Sequence, residues 1–259
     1  MSEELILPKK PTKAQLKNPS PLLIFGQPKI GKTTCIANLK NNLVLNFEDK
    51  VQSADGMVMY IDSLKKLKEV AQAIKKADKP YTYITIDTLT KVEEMCITEA
   101  EKIYMRTPMG KDWIRRDENG KLMQSCGKGK YTSVLFLPNG SGYQYLRQAF
   151  KQVTNLIESL ADNIIYIAHV KTTNILKDGA EISSHDINLI GKNKQTISAD
   201  AQAIAFMTRI NKKNYLSFLP SDDILAGCKI KRLEGKEILI SEYDDEENLI
   251  TYWDQIYIK

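Results

Sequence analysis

Short apolar runs alternate with amphipathic stretches along most of the chain. Leu22-Leu23-Ile24-Phe25 and Leu43-Val44-Leu45-Asn46-Phe47 are nearly continuous apolar segments. Runs without polar alternation predict strands buried on both faces. Gly56–Ile61, Tyr83-Ile84-Thr85-Ile86-Asp87 and Ile164-Ile165-Tyr166-Ile167-Ala168 continue the series. Between these runs, apolar residues recur three or four positions apart. Leu64, Leu67, Val70, Ala71, Ile74 and Ala77 form one such stripe, opened by Asp62-Ser63 and closed at Pro80. Leu89, Val92, Cys96, Ala100 and Ile103 form a second, with Thr90 and Glu93 spaced as a capping box. Leu146, Phe150, Val153, Ile157 and Leu160 form a third. Ala203–Thr208 and Tyr215–Phe218 flank Asn211-Lys212-Lys213-Asn214 and predict a hairpin, and Ile238-Leu239-Ile240 is strand-like. Strands alternating with helices predict an α/β fold. Its central sheet is mostly parallel and flanked by helices, with a C-terminal β-hairpin region.

Three segments depart from this rhythm. Residues 1–20 are polar and proline-bearing, and predict an extended lead-in to a single domain over 21–259. Residues 105–142 hold Pro108, Gly110, Gly120, Gly127, Gly129, Pro138, Gly140 and Gly142 among seven Lys and Arg side chains. Residues 171–198 form another long polar connection, around Gly179 and Gly191. Connections of such length in a compact domain are usually functional. The first predicts a partly mobile insertion.

Composition narrows the picture only a little. The 259 residues are 42% hydrophobic and 27% charged, values ordinary for a soluble globular chain. The net charge of +5 permits a nucleic-acid partner without requiring one. Cys35, Cys96, Cys126 and Cys228 form no C-x-x-C pair, and with only His169 and His185 beside them they assemble no zinc pattern. Scattered, unpaired cysteines fit a reducing, cytoplasmic compartment. The start Met1-Ser2-Glu3-Glu4-Leu5 does not read as a signal peptide, and no apolar run approaches membrane-spanning length.

The chemistry centres on Gly26-Gln27-Pro28-Lys29-Ile30-Gly31-Lys32-Thr33-Thr34. This is G-x-x-x-x-G-K-[ST], placed between a predicted strand and a predicted helix that runs to about Lys40, which is the context that phosphate-binding motif needs. Gly26 and Gly31 allow backbone angles a side chain would forbid. The loop can then turn its N–H groups toward an anion. Lys32 would reach the β- and γ-phosphates of ATP, and the Thr33 hydroxyl would hold Mg²⁺. Asp87 ends its apolar strand, where a Mg²⁺-water ligand belongs, although helix capping would also suit it. Glu48 ends the strand after the phosphate-loop helix and is placed to orient and polarise an attacking water, with Asp49 as the neighbouring candidate. His169 ends another strand and is placed to donate a hydrogen bond to the γ-phosphate.

The segments LLIFGQPKIGKTT, LVLNFED, YITIDTLT and NIIYIAHVK together resemble the RecA-like P-loop ATPases. They resemble most the small phage-encoded nucleotide-binding proteins of the Sak-type annealing and recombination group. Ala226–Leu233, followed by a short strand, fits that likeness. The resemblance implies that Lys32 and Thr33 contact nucleotide and Mg²⁺, that Asp87 is the second Mg²⁺ ligand, that Glu48 is the catalytic glutamate, and that His169 is a γ-phosphate sensor. It also implies that 105–142 and 171–198 face DNA, with self-association into a ring or filament.

The function expected is an Mg²⁺-dependent ATPase acting on single-stranded DNA. A nucleotide or small-molecule kinase is the main alternative, with Arg106, Arg115 and Arg116 as possible lid residues. A non-hydrolysing DNA-binding accessory protein is another. Lys229, Lys231, Arg232 and Arg209 are candidates for a cation reaching the γ-phosphate of a neighbouring subunit. Arg115, Arg116, Lys128, Lys130, Lys171, Lys192 and Lys194 are candidate DNA contacts, with Trp113 and Tyr131 placed to stack on bases.

Overall fold

The structure is a computed structural model, and it describes residue 10 and residues 16–48, 54–111, 113, 133–177 and 180–258. Six parallel strands run through its middle: β1 (Leu22–Gly26), β2 (Asn42–Asn46), β3 (Met57–Tyr60), β4 (Tyr83–Asp87), β5 (Asn163–Lys177) and β7 (Ala203–Ile210). Between β5 and β7 the chain forms β6 (Ala180–Ile187), which pairs antiparallel with β5. The tail supplies β8 (Lys213–Ser217), β9 (Gly227–Cys228), β10 (Glu237–Tyr243) and β11 (Leu249–Thr251). The order across the sheet is β11-β10-β8-β7-β1-β5-β4-β2-β3, with β9 on β7. The mostly parallel α/β architecture read from the sequence is the one observed.

β1 and β2 are buried at every position, as their unbroken apolar runs require. β3 is different. It is an edge strand, with Met57 and Met59 exposed and Val58 and Tyr60 half-buried. The hairpin between β7 and β8 turns at Asn211 and Lys212, both with positive φ, as a tight primed turn demands.

The helices are α1 (Lys32–Ala37), α2 (Leu64–Lys76), α3 (Leu89–Met105), α4 (Gly142–Glu158) and α5 (Asn193–Asp200). One apolar cluster joins α2–α5 to one face of the sheet, through residues such as Leu67, Val92, Phe150 and Ile197. A second joins α1 to the other face, with Leu216, Phe218, Ile240, Trp253 and Ile256 from the C-terminal region.

Several boundaries differ from expectation, each for a local reason. α1 stops at Ala37 rather than near Lys40, because the buried Asn42 side chain takes the Ile36 carbonyl at 2.9 Å and Asn41 turns the chain with φ 55°. Ser63 caps α2 by accepting from the Lys66 N–H at 3.2 Å, and Ala77 is its exposed C-cap rather than part of the apolar stripe. The Thr90/Glu93 capping box does not form. Thr88 is the N-cap of α3, and Thr90 and Glu93 turn inward to other partners. Segment 171–198 is not a loop. It is the β5–β6 hairpin followed by most of α5. The sequence does carry a turn-forming dipeptide, Asp178-Gly179, between Ile175-Leu176-Lys177 and Ala180-Glu181-Ile182. Of 105–142, the residues from 112 and from 114 to 132 lie outside the described part, while 133–141 form two short 3-10 turns leading into α4.

Candidate functional site

The site is built at the carboxyl ends of neighbouring parallel strands, where ligands of open α/β sheets bind. β1 ends at Gly26, in register with His169 of β5 and Met207 of β7. A Cβ on Gly26 would lie 2.8 Å from the Met207 carbonyl oxygen, so this crossing needs glycine. The chain then lifts off the sheet through Gln27, Pro28, Lys29 and Ile30. It passes Gly31, whose φ of 103° favours glycine, and enters α1 at Lys32.

Lys32 is only 8% exposed. Its Nζ donates to the Gly26 carbonyl at 2.9 Å and the Gln27 carbonyl at 2.7 Å, so the ammonium folds back beneath its own loop. Burial holds its pKa below the usual lysine value, and the nearby Asp87 and Glu48 carboxylates oppose that shift. Thr33 donates its hydroxyl to Asp87 Oδ2 at 2.5 Å. Asp87 is 4% exposed, and burial raises its pKa while the Thr33 hydrogen bond counters. A hydroxyl and a carboxylate this close form a hard-oxygen pair. That donor chemistry fits Mg²⁺, which takes its remaining ligands from water and phosphate. The Asp87–Thr88 peptide is cis.

Glu48 lies just past β2, with its backbone N–H held by Asn46 Oδ1 at 2.8 Å. Its Oε1 contacts His169 Nε2 at 2.6 Å and accepts from the Thr88 hydroxyl at 3.1 Å. The His169 hydrogen bond is the main reason the Glu48 carboxyl sits below the usual glutamate range. His169, expected as a donor to the γ-phosphate, is paired with Glu48. The Thr90 hydroxyl accepts from the His169 backbone N–H at 3.3 Å and donates to the Asn188 carbonyl at 3.2 Å. Thr88 and Thr90 were missed as site residues, although both belong to the run Asp87-Thr88-Leu89-Thr90. One turn further along α3, Glu93 accepts from the Ile190 N–H and from Asn193 Nδ2 at 2.7 Å, and burial pushes its carboxyl up to about 7.

Beside Thr34 opens a cleft of about 680 Å³, bordered by Asn38, Asp55, Tyr243, Asn248 and Leu249. The Arg209 guanidinium stands 5.9 Å from the Tyr243 ring centroid. The cleft residues of the β10–β11 turn carry no sequence motif, and only the fold brings them to α1.

The other predicted cations divide sharply. Lys171 is exposed on the β5–β6 hairpin, which continues past His169 on the side of the sheet where the Gly26–Thr34 loop lies, and Lys192 is exposed before α5. Lys194 is ion-paired with Asp186, so its charge is already compensated. Arg115, Arg116, Lys128, Lys130 and Tyr131 lie outside the described residues, as does Asp49. Trp113 packs edge-on against Tyr104 at 5.2 Å, which removes that face from base stacking. Arg232 is not free to act as a finger: its guanidinium binds carbonyls of Lys17, Gln255 and Ile256 and the Asn18 side chain, tying the segment ahead of β1 to the one after β11. Lys229 donates to the Ala199 carbonyl at 3.0 Å. Lys231 is exposed. β9 pairs with β7 at Ala203 and Ile204, so these three cations follow a strand at the end of the sheet away from Gly26. Arg209, near the far end of β7, is on the side where the Gly26–Thr34 loop lies.

A motif loop over β1, a hydroxyl–carboxylate pair and a glutamate–histidine pair at adjacent strand ends define the class as a phosphate-loop α/β protein. The family model described as "AAA domain" matches residues 18–229, and the chain belongs to that family. No curated protein matches it by sequence. Among solved structures, the RadB recombinase aligns over 91% of this chain and 92% of its own, at 12% identity and a TM-score of 0.45. A KaiC-like protein from Pyrococcus horikoshii OT3 aligns over 90% of this chain and 89% of its own, at 10% identity and a TM-score of 0.40. Among the described residues, no helix is long and apolar enough to cross a membrane.

Proposed function

We propose that the chain is a RecA-like ATPase that hydrolyses ATP with Mg²⁺ and acts on single-stranded DNA in recombination or annealing. The observation that carries this reading is the meeting of three groups at adjacent strand ends: Lys32, the Thr33–Asp87 pair, and the Glu48–His169 pair. Lys32 leaves the Gly26 and Gln27 carbonyls for the β- and γ-phosphates. Gly26–Thr34 wraps the phosphate chain with backbone N–H groups. Thr33 and Asp87 are the residues that would hold Mg²⁺, which supplies charge neutralisation on the phosphates when bound. The nucleoside extends from Thr34 into the cleft, toward Tyr243 and Asn248.

Glu48 takes the proton of the attacking water. The water oxygen bonds to the γ-phosphorus as the bond to the bridging oxygen breaks, and ADP leaves with that electron pair. The depressed pKa of Glu48 keeps it ionised and ready to accept. His169, donating through Nε2, holds the carboxylate in place. The position of Glu48, just past the strand that follows the phosphate-loop helix, favours water as the acceptor over the kinase alternative.

DNA contact is assigned to Lys171 on the β5–β6 hairpin and Lys192 at the start of α5, together with Arg115, Arg116, Lys128 and Lys130, which lie outside the described residues. Self-association into a ring or filament would bring a cation to the next subunit's γ-phosphate, and Arg209 and Lys231 are the exposed candidates. The protein works in a reducing, cytoplasmic compartment. ATP turnover measured with and without single-stranded DNA tests the reading. Hydrolysis stimulated by DNA supports it. No hydrolysis in either case overturns the ATPase, and hydrolysis with no DNA binding at low salt overturns the DNA role.

A further inference from the structure

Beneath the phosphate loop lies a buried polar chain that contains no motif residue. Asn214, on β8, is 3% exposed, and its Nδ2 donates to Ser241 Oγ of β10 at 2.9 Å. Ser241, fully buried, also hydrogen-bonds the Cys35 thiol of α1. The same Asn214 amide stands against the loop itself, since a Cβ on Gly31 would come within 3.3 Å of Asn214 Nδ2. Asn214 Oδ1 is buried and has no hydrogen-bond partner. An unpaired buried acceptor is costly, and a polar group of that kind would normally be replaced by an apolar one unless another state uses it.

The neighbouring groups show which state that is. Lys32 spends its ammonium on the Gly26 and Gln27 carbonyls, so the loop is drawn closed on itself. Phosphate would draw Lys32 away and re-aim the backbone around Gly31, directly above Asn214.

We propose that Asn214 is a positioning residue for the phosphate loop: its amide, whose Nδ2 faces Gly31, turns in the phosphate-bound state so that the unpaired Oδ1 accepts a hydrogen bond from the loop. Resting on the nucleotide-binding reading above, it adds that β8, outside the motif, sets nucleotide affinity. Asn214 thereby couples the loop to Ser241 and to the base of α1.

The test separates this role from simple core packing. ADP affinity and melting temperature would be measured on the purified full chain for the parent, Asn214→Leu and Asn214→Ala. Asn214→Leu keeps volume and removes the orphaned acceptor. The expected result is a melting temperature without nucleotide that falls no further than in Ser241→Ala, which loses the same Asn214–Ser241 hydrogen bond, together with an ADP dissociation constant weakened about tenfold. The stabilisation conferred by ADP shrinks accordingly. Ser241→Ala serves as the packing control and should lower the melting temperature with little loss of affinity. ADP affinity equal to the parent's in a folded Asn214→Leu or Asn214→Ala protein would overturn the proposal. So would a lowered melting temperature with affinity intact. A parent that binds no ADP would instead overturn the nucleotide reading and this proposal with it.

Discussion

The parallel and antiparallel parts of the sheet do different work. The parallel strands present every group of the proposed reaction at one level of the sheet: the loop after β1, Glu48 after β2, Asp87 at the end of β4, and His169 within β5, opposite Gly26. The antiparallel strands β8, β10 and β11 contribute none of these four, although Tyr243 and Leu249 border the cleft beside Thr34 and Asn214 lies against Gly31. Instead they hold α1 from below. Leu216, Phe218 and Ile240 join Cys35 and Ile36 in one apolar cluster, and Trp253 Nε1 donates to the Cys35 carbonyl at 3.1 Å. α1 has six residues, far too few to be stable by itself. The helix behind the phosphate loop therefore depends on tertiary packing from the part of the chain with no recognisable motif. On the opposite face, α2, α3 and α4 are long and carry their own apolar stripes.

Breaking the parallel side at Lys32 should have the largest effect. Lys32→Ala is expected to abolish ATP hydrolysis while circular dichroism shows the fold retained. Turnover at the parent rate would remove the phosphate loop from the mechanism. Glu48→Gln comes next. The amide keeps the shape but cannot accept the proton, so turnover should fall by about 10²–10⁴-fold with ATP binding kept. If Asp49→Asn shows that loss and Glu48→Gln does not, the base is one residue further on.

His169→Ala sharpens the same side with a smaller change. The His169 hydrogen bond depresses the Glu48 pKa, so the base stays ionised to lower pH than an ordinary glutamate. The contribution of Glu48 is present above that depressed value and is lost as pH falls through it. Without His169 the Glu48 pKa rises, and the acid limb of the kcat profile should move to higher pH. A limb that stays in place would separate His169 from Glu48 in function.

The smallest effect tests the antiparallel side. Trp253→Phe removes the hydrogen bond to the Cys35 carbonyl but keeps an aromatic ring. Urea unfolding should show a loss of about 1 kcal/mol, with ATP turnover retained. A larger fall in turnover than in stability would mean that this side shapes the reaction and not merely the support.

The sequence by itself determined the parallel framework and its loop. Buried parallel strands are written as unbroken apolar runs, and a phosphate loop needs glycine, lysine and threonine at set spacing because backbone geometry and charge demand them. Lys32, Thr33, Asp87 and Glu48 were legible for that reason. Local sequence does not encode partners distant along the chain. Nothing near Glu48 announces His169, 121 positions away, and nothing near Gly31 announces Asn214. The Thr90–Glu93 spacing suited a capping box, but Asn188, Ile190 and Asn193 competed for both side chains once α3 packed beside them. Arg232 had the composition of a finger, and only the meeting of the segment ahead of β1 with the one after β11, at Lys17 and Ile256, gave its guanidinium a structural task. Pairings of this kind arise when strand order brings distant segments together, because a buried donor or charge takes whichever partner the packing places within reach.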